Sequence, residues 1–292
     1  MTDPGGSGRT VVVAGCGYVG SALAQMLVAD GHRVWGLRRD PSDLPQGVRP
    51  LAGDVCEPAT LDGLPPHPDA IVYAVAPAAR SAEAYRAAYV DGLSNLLDAA
   101  GDRGSRFRVR LVLVSSTGIY GESEGRWVDE DTPPDPADET GAMLLEGERI
   151  ARACAGTGIV LRLGGIYGPG RDRTVRRVCG GEAGCPDAGH YGNRIHRDDA
   201  AGAARHLLYL DRPESVYLGV DRDPAELRAV YRWIAEQAGV PDPCADRHDR
   251  ASGPSRRRGT NKRCSSERLV RSGYAFQYPT FREGYASLLP KA

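Results

Sequence analysis

Short apolar runs alternate with longer amphipathic segments through the first two thirds of the chain. The apolar runs have the length and β-branched content of buried strands, and they are Thr10–Ala14, Arg33–Leu37, Ala70–Ala74, Arg108–Ser115 and Gly158–Arg162. The amphipathic segments have helical periodicity, and they are Ser21–Asp30, Ser81–Ala100 and Met143–Ala155. Continuous apolar strands alternating with helices indicate a parallel sheet covered on both faces, with right-handed crossovers. The pattern therefore predicts an α/β protein built on a doubly wound parallel sheet.

The pattern changes after Gly164. Segment 164–192 is rich in Gly and Arg, which predicts a long loop with at most short elements. The elements predicted beyond it are a helix over 197–210, a strand over Ser215–Val220, a helix over Pro224–Ala238 and an exposed loop over 241–263. Asp223 is the predicted N-cap of the last helix, with Pro224 in its first turn. We expect a sheet domain over 1–165 and a smaller lobe over most of 166–292, with 193–220 returning to the sheet.

Composition and charge narrow the class of protein. The 292 residues are 41% hydrophobic and 26% charged, as in an ordinary globular protein. Lys plus Arg number 37 against 38 Asp plus Glu, so the bulk charge favours neither nucleic acid nor a membrane surface. Met1–Arg9 is polar and Gly-rich and predicts a frayed tail. We expect a cytoplasmic protein with a small-molecule substrate, no nucleic acid and no membrane partner.

The cysteines predict neither a metal site nor a disulfide framework. Seven cysteines are spread along the chain without a C-x-x-C pair or zinc-type spacing. The nearest pair, Cys179 and Cys185, lies in a Gly-rich segment. We expect free thiols in a reducing compartment.

A glycine-rich turn joins the first predicted strand to the first predicted helix. Gly15-Cys16-Gly17-Tyr18-Val19-Gly20 has the spacing G-x-G-x-x-G, and Tyr18 and Val19 count among the predicted cofactor contacts. Gly15 permits a tight turn, Gly17 lets a pyrophosphate approach the backbone, and Gly20 lets the helix pack close to the strand. The helix N-terminus presents N–H groups to the phosphates. This context predicts a Rossmann-type dinucleotide site; the alternative is a Gly-rich turn without a ligand.

The end of the second predicted strand distinguishes between dinucleotides. An NAD site usually places an acidic residue there, on the ribose 2′-hydroxyl. Arg38 and Arg39 stand there instead, and Asp40 is expected beyond the strand end. Guanidinium groups bind a 2′-phosphate bidentately, whereas a carboxylate would repel it. The pair predicts NADP(H) in preference to NAD(H); the alternative is two surface arginines on a loop.

With these residues placed, the chain resembles the extended short-chain dehydrogenase/reductase superfamily, in its NAD-dependent epimerase/dehydratase branch. In Gly53-Asp54-Val55, the resemblance implies that Asp54 bonds the adenine amine, with Val55 beside it. It implies that Ala74, Val75 and Ala76, after the fourth strand, line the adenosine. In Val114–Gly121 it implies a catalytic hydroxyl at Ser116, a cofactor contact at Ser115 and a substrate contact at Thr117.

Later segments extend the resemblance over nearly the whole chain. Leu161–Arg171, which contains Tyr167, resembles the stretch that borders nicotinamide and substrate, and Asn193–Asp199 resembles the turn before a C-terminal helix. These segments imply substrate contacts from Arg171 and His196. The glycine turn, together with Asn261–Ser266 and Tyr278–Gly284, is similar to the atypical YeeZ-type subgroup. The superfamily often pairs helices across a dimer interface, which implies a homodimer.

One motif of the superfamily is missing. Its general acid is the Tyr of a Tyr-x-x-x-Lys motif on the helix after the fifth strand, where the Lys lowers the pKa of the phenol. Leu145 and Glu148 match the Leu-x-x-Glu that usually follows this motif. That register places Thr140 at the Tyr position and Leu144 at the Lys position. A threonine hydroxyl is too weak an acid, and leucine carries no charge.

Other groups are candidates for moving the proton. Tyr120 and Tyr167 could point at the cleft, or both phenols could pack structurally. His196 could carry a proton or anchor its turn, and Glu139 could turn inward or stay in solvent. Ser116 can hold a carbonyl oxygen by a hydrogen bond.

Two basic clusters have both a functional and a structural interpretation. Arg171, Arg173, Arg176 and Arg177 could bind a carboxylate or phosphate, or lie in a solvated loop. The second cluster contains Arg247, Arg250, Arg256, Arg257, Arg258, Lys262 and Arg263. It has no interleaved aromatic residues, so we expect a solvated loop rather than a nucleic-acid site.

Together these features predict an NADP(H)-dependent reductase or dehydrogenase acting on a small polar carbonyl or alcohol with a non-standard proton donor. Ser116 would orient the oxygen, and Tyr120 or Tyr167 would supply the proton. Two alternatives stay open, because fold alone does not choose between them. One is an epimerase/dehydratase-like or other non-redox enzyme, and the other is a non-catalytic NADP(H) sensor.

Overall fold

The computed structural model describes residues 8–101, 109–154, 156–245 and 260–290. Most of the predicted N-terminal tail and Arg108 of the fifth predicted strand lie outside these ranges. Arg247, Arg250, Arg256, Arg257 and Arg258 of the second basic cluster also lie outside them.

A seven-stranded sheet organises the chain. The strands are β1 Thr10–Ala14, β2 Arg33–Arg38, β3 Arg49–Ala52, β4 Ala70–Tyr73, β5 Arg110–Ser116, β6 Trp127–Val128, β7 Thr157–Leu163, β8 Gly165–Tyr167, β9 Arg194–His196, β10 Val216–Gly219 and β11 Arg263–Cys264. The main sheet has the order β10-β7-β5-β4-β1-β2-β3, while β6 pairs with β11 and β8 with β9. At its centre β1 runs parallel to both β2 and β4, with Val11 opposite Val34 and Ala70. This order, with β1 and β4 adjacent, confirms the predicted Rossmann-type doubly wound fold.

The helices lie between these strands. They are α1 Tyr18–Ala29, α2 Ala82–Arg86, α3 Gly92–Ala99, α4 Glu139–Arg152, α5 Arg173–Cys179, α6 Arg197–Tyr209, α7 Leu227–Ala238, α8 Glu267–Arg271 and α9 Phe281–Ala286. The single helix predicted over Ser81–Ala100 is interrupted by a π-helical turn at Ala87–Asp91. Helix α4 begins earlier than predicted because Asp138 caps it, accepting a hydrogen bond from the backbone N–H of Gly141 at 3.0 Å.

The predicted start of α7 is wrong. Glu226, not Asp223, precedes the first helical residue, and Pro224 lies outside the helix. The carboxylate of Asp223 instead forms an ion pair with Arg282, at 2.8 Å from its Nη1. The local sequence predicts Asp223 as a helix cap, but its side chain forms an ion pair with a residue 59 positions away in the sequence.

The described residues divide into two compact units. The first comprises Met1–Ile119, Asp138–Arg162 and Ala201–Tyr217, and the second comprises Tyr120–Ala137, Leu163–Ala200 and Leu218–Ala292. The first unit holds most of the main sheet, whose central strands are fully buried. The second has its own apolar cluster, which includes Tyr167, Val175, Val178, Val230, Ile234, Phe281 and Tyr285.

The expectation of free thiols alone is wrong for one pair. Cys185 and Cys244 form a disulfide in the second unit, with a Cα–Cα distance of 4.9 Å. Their 59-residue separation in sequence leaves no local spacing signal, so the pairing depends on tertiary structure. Cys16, Cys56, Cys154, Cys179 and Cys264 are free.

Two features are absent from the described ranges. No helix there is long and apolar enough to cross a membrane. No group of His, Cys, Asp and Glu side chains there has an arrangement that could hold a metal ion.

Candidate functional site

In the glycine turn, the fold requires a glycine at positions 15 and 20 but not at position 17. Gly15 has a φ of 81°, and a Cβ there would lie 2.5 Å from the carbonyl carbon of Ala74. A Cβ on Gly20 would lie 2.4 Å from the carbonyl oxygen of Gly15. At Gly17, by contrast, a Cβ would meet only the oxygen of Gly15, at 3.9 Å. The surroundings of Gly17 are therefore open, as they must be for a pyrophosphate to approach its backbone.

The N-terminus of α1 suits an anion. The helix has 12 residues, its N-cap is Gly17, no side chain caps it, and its first turn has no acidic residue. Val19 is buried and Tyr18 half-buried in that turn. The backbone N–H groups of Gly15 and Cys16 both donate to the carbonyl of Leu37, which ties the turn to the end of β2. The positive end of the helix dipole thus faces the turn, and the residues present fit a dinucleotide pyrophosphate.

The two predicted arginines lie where β2 ends. Arg38 is the last residue of the strand and is half-buried, whereas Arg39 is exposed. Burial raises the pKa of the Cys16 thiol, and a hydrogen bond with Ser21 and the positive charge of Arg38 oppose that shift. The Nη1 of Arg38 donates to the carbonyl of Asp43 at 3.4 Å. Asp40 lies past the strand end, and hydrogen bonds from Ser42 hold the pKa of its carboxyl below the usual value.

The predicted adenosine residues follow β3 and β4 of the same sheet. In the loop after β3, the carboxylate of Asp54 accepts a hydrogen bond from the backbone N–H of Cys56 at 2.9 Å, and Val55 is buried. After β4, Ala74 donates its N–H to the carbonyl of Ala14, and Val75 and Ala76 become progressively more exposed. These residues therefore lie at the same carboxyl edge of the sheet as the glycine turn.

Ser115, Ser116 and Thr117 close β5 and have different partners. The Ser115 hydroxyl donates to Glu148 at 2.7 Å and is buried. The Ser116 oxygen accepts the N–H of Gly118 at 3.0 Å, which leaves the hydroxyl proton of this half-buried residue available for donation. Thr117 is buried, with 7% of its surface exposed.

The residues that the sequence register places at the Tyr and Lys positions lie on α4. Thr140 donates its hydroxyl to the carboxylate of Asp138 at 2.6 Å. Leu144, one turn later, is buried. The sequence holds two lysines, Lys262 and Lys291, and neither is on this helix.

Tyr120 belongs to the second unit and has internal partners. Its side chain is 1% exposed, and its hydroxyl donates to the carbonyl of Asp129 at 2.7 Å. Lys262 holds the backbone of the same residue, because its Nζ donates to the Tyr120 carbonyl at 2.7 Å and to the Thr260 hydroxyl at 2.8 Å. Burial lowers the pKa of Lys262. Sequence reasoning placed Lys262 in a solvated loop; the rarity of lysine in this chain was the signal that could have singled it out.

Tyr167 and His196 pack against each other on β8 and β9. Their rings meet edge to face at 5.5 Å, and both residues are buried. The Tyr167 hydroxyl fills the space where a Cβ of Gly284 would be. Burial raises the pKa of the Tyr167 phenol far above its ordinary value. His196 accepts the backbone N–H of Asp198 at its Nδ1, and burial lowers its pKa, which favours the neutral imidazole.

A buried ion pair accompanies these rings in the second unit. Arg194 and Asp221 are 5% and 1% exposed, with 4.0 Å between Nη1 and Oδ2. Burial raises the pKa of Asp221 to about 8 against the opposing charge of Arg194. Sequence reasoning singled out neither residue as charged and buried, because nothing in a short motif reports burial.

In the first basic cluster, two arginines have local partners and two are exposed. Arg176 forms an ion pair with Asp172 at 2.9 Å, and Arg177 donates to the carbonyl of Glu182 at 3.0 Å. Arg171 and Arg173 are exposed, and the backbone of Arg171 closes the turn after Gly168.

The chain belongs to the NAD dependent epimerase/dehydratase family, whose model matches residues 11–180. It is 30% identical over 257 residues to a "3-diazoavenalumate denitrifying reductase" from a Streptomyces species, and the match covers 80% of this chain and 83% of the relative.

Solved structures agree with this assignment. A protein from Methylobacillus flagellatus, described as an NAD-dependent epimerase/dehydratase, has 36% sequence identity and a TM-score of 0.79, and the match covers 96% of this chain and 97% of that one. A human epimerase family protein determined with NADPH has 22% identity and a TM-score of 0.70, over 94% of this chain and 97% of that one. At that identity the second likeness shows the fold alone.

Proposed function

We propose that this protein is an NADP(H)-dependent reductase of a small polar molecule. The observation that carries the proposal is the combination of an open Gly17 backbone at the α1 N-terminus with Arg38 and Arg39 at the end of β2. The first suits a pyrophosphate, and the second suits a phosphate on the adenosine ribose. The reductase activity named for the Streptomyces relative supports the redox assignment over the epimerase and sensor alternatives.

Different residues of the first unit would bind different parts of the cofactor. Gly15–Gly20 would hold the pyrophosphate, Arg38 and Arg39 the 2′-phosphate, and Asp54 and Ala74–Ala76 the adenosine. When bound, NADPH supplies hydride chemistry. Ser116 has a hydroxyl proton to donate and would orient a polar atom of the substrate.

The contacts of the proton-donor candidates bear on the substrate. The Thr140 proton goes to Asp138, the Tyr120 proton goes to Asp129, and the Tyr167 phenol is buried. These contacts favour a substrate whose reduction needs little help from a protein acid. The carbonyl predicted from the sequence is one acceptor to test, and a diazo compound, by analogy with the name of the Streptomyces relative, is another.

The cofactor assignment is tested by titration calorimetry with NADPH and NADH. Each charge-assisted hydrogen bond contributes about 1.5–3 kcal/mol. Replacing Arg38 and Arg39 together by Ala removes at least one such bond from each and should therefore weaken NADPH binding by at least about 100-fold, with NADH binding nearly unchanged. Arg33→Ala is the matched control, since Arg33 lies at the other end of β2 and contacts Thr10. Equal losses for the two nucleotides in the double variant would refute the NADP(H) preference.

The reductase assignment is tested with the wild-type chain, NADPH and a panel of aldehydes, ketones and aryl diazonium salts. We expect the nicotinamide absorbance to fall with at least one acceptor. Product formed without net NADPH loss would identify a non-redox enzyme, and tight NADPH binding without turnover would identify a sensor.

A further inference from the structure

Residues 180–193 connect α5 to β9 with little regular structure. Gly181 and Gly189 have φ values of 70° and 67°, and a Cβ at either, or at Gly184, would meet nothing within 4 Å. The end of this segment is anchored, because Gly189 donates its N–H to Glu226 at 2.8 Å and Tyr191 donates its N–H to Asn261 at 2.9 Å. Residues 183–188 depend on other anchors.

Helix α7 supplies one set of anchors. Arg228 donates from its Nε to the carbonyl of Pro186 at 2.8 Å, next to Cys185. One turn further along the helix, Arg232 donates from its Nε to the carboxylate of Asp242 at 3.1 Å. The other oxygen of Asp242 accepts the N–H of Cys244 at 2.8 Å.

These two arginines explain why the cysteines meet. Arg228 and Arg232 are four residues apart, so they lie on the same face of α7. One positions the segment that carries Cys185, and the other positions the turn that carries Cys244. The Cα atoms are consequently 4.9 Å apart, within the range that a disulfide bridges.

The two sulfurs differ in access. Cys185 is half-buried, with the exposed Gly184 before it, whereas Cys244 is 7% exposed. An external thiolate would therefore reach the sulfur of Cys185 more readily. The free thiols of Cys16 and Cys264 are buried.

We propose that Cys185–Cys244 is a reversible redox site that holds residues 183–188 in place when oxidised and loosens them when reduced. The reductant is a small thiol or a dithiol protein. Its thiolate attacks the Cys185 sulfur, the Cys185–Cys244 bond breaks, and Cys244 leaves as a thiolate that takes up a proton. A second thiol then displaces Cys185, so two electrons and two protons enter the protein and the reductant leaves as its disulfide. This proposal does not depend on the cofactor or the reaction of the first unit.

The test uses the chain of 292 residues. In intact-mass measurements after alkylation under denaturing conditions, the air-oxidised protein should take up five alkyl groups and the reduced protein seven. Equilibration in glutathione buffers of graded ratio should convert one form to the other. Because the cross-link joins residues 59 apart in the sequence, reduction should lower the Tm by roughly 5–10 °C. Endoproteinase Glu-C in phosphate buffer should cut the reduced protein faster after Asp187.

Two variants separate the redox site from general effects of reductant. The Cys185→Ser/Cys244→Ser double variant should have the Tm of the reduced wild type and no response to reductant. Cys154→Ser removes a half-buried free thiol and should respond as the wild type does. Seven alkylated thiols in the air-oxidised protein would overturn the proposal, and so would a disulfide that persists in every glutathione buffer. An unchanged Glu-C pattern on reduction would overturn the loosening of residues 183–188.

Discussion

The carboxylate of Glu148 is fully buried, although burying a charged group is costly unless it is paired. Arg162, which is 4% exposed, meets it with Nη2 at 2.7 Å from Oε2 and Nε at 3.0 Å from Oε1. The Ser115 hydroxyl donates to the same Oε1 at 2.7 Å. This three-residue network ties α4 to β5 and β7 behind the serines that end β5, so it positions Ser115 and Ser116 without contacting a substrate.

Removing the carboxylate should leave the Arg162 charge buried without its partner. For Glu148→Ala we expect a loss of about 3–5 kcal/mol in the free energy of unfolding, measured by urea denaturation. The matched control is Glu146→Ala on the same helix, where an exposed pair with Arg149 is lost and little change is expected. Similar losses for the two variants would show that Arg162 finds another partner.

At the scale of elements, the glycine turn has a structural role and, in the proposed function, a binding role within six residues. Gly15 and Gly20 allow β1, α1 and the end of β4 to approach closely. Gly17 allows no such contact, and it is both the N-cap of α1 and exposed. Stability and nucleotide binding should therefore separate along the turn.

Two alanine substitutions test that separation. Gly20→Ala should lower the Tm, because its Cβ would collide with the backbone oxygen of Gly15. Gly17→Ala should leave the Tm within about 2 °C of the wild type but weaken NADPH binding by roughly tenfold or more, since the methyl group occupies the approach to the backbone. Thermal denaturation and calorimetry on both variants provide the readout. A Gly17→Ala protein that binds NADPH normally would contradict this division.

At the scale of the whole molecule, hydrogen bonds join chain segments that are remote in sequence. In the first unit, Arg9 donates its N–H to Nδ1 of His32 at 3.2 Å, so the other ring nitrogen carries the proton toward Tyr209, 2.6 Å away. The Tyr209 hydroxyl donates to Asp30 at 2.8 Å, and Arg205 contacts the same carboxylate through two nitrogens. The chain of bonds requires a neutral imidazole and connects the start of β1 with the end of α6.

This arrangement predicts a pH dependence. Burial lowers the pKa of His32 below its ordinary 6.5, so the unfolded chain takes up the proton first as the pH falls. The contribution of His32 to stability is then complete above about pH 6.5 and declines as the pH drops below it. Because glutamine does not titrate, the Tm advantage of the wild type over His32→Gln should shrink between pH 7.5 and pH 5. Parallel Tm curves for the two proteins would show that His32 titrates equally in both states.

The sequence was sufficient wherever the information is local. The β1 strand was predicted to the residue, and the other predicted sheet strands to within one or two residues at each described end, because buried parallel strands are continuous apolar runs. The turn at Gly15–Gly20 and the arginines after Leu37 follow from fixed spacings after a strand. Short β3, with Leu51 as its one buried residue, lacked such a run and was not predicted from the hydrophobic pattern.

The tertiary structure decided what depends on partners distant in the chain. The Tyr120 hydroxyl donates to the carbonyl of Asp129, and Lys262 holds the Tyr120 backbone. The Tyr167 hydroxyl lies against Gly284, more than a hundred residues later. Asp223 binds Arg282 instead of capping α7, and Cys185 pairs with Cys244. Propensity and spacing report the conformation of neighbouring residues. Burial, pKa and cross-linking arise only when remote segments pack together, and these contacts settled which side chains remain available for chemistry.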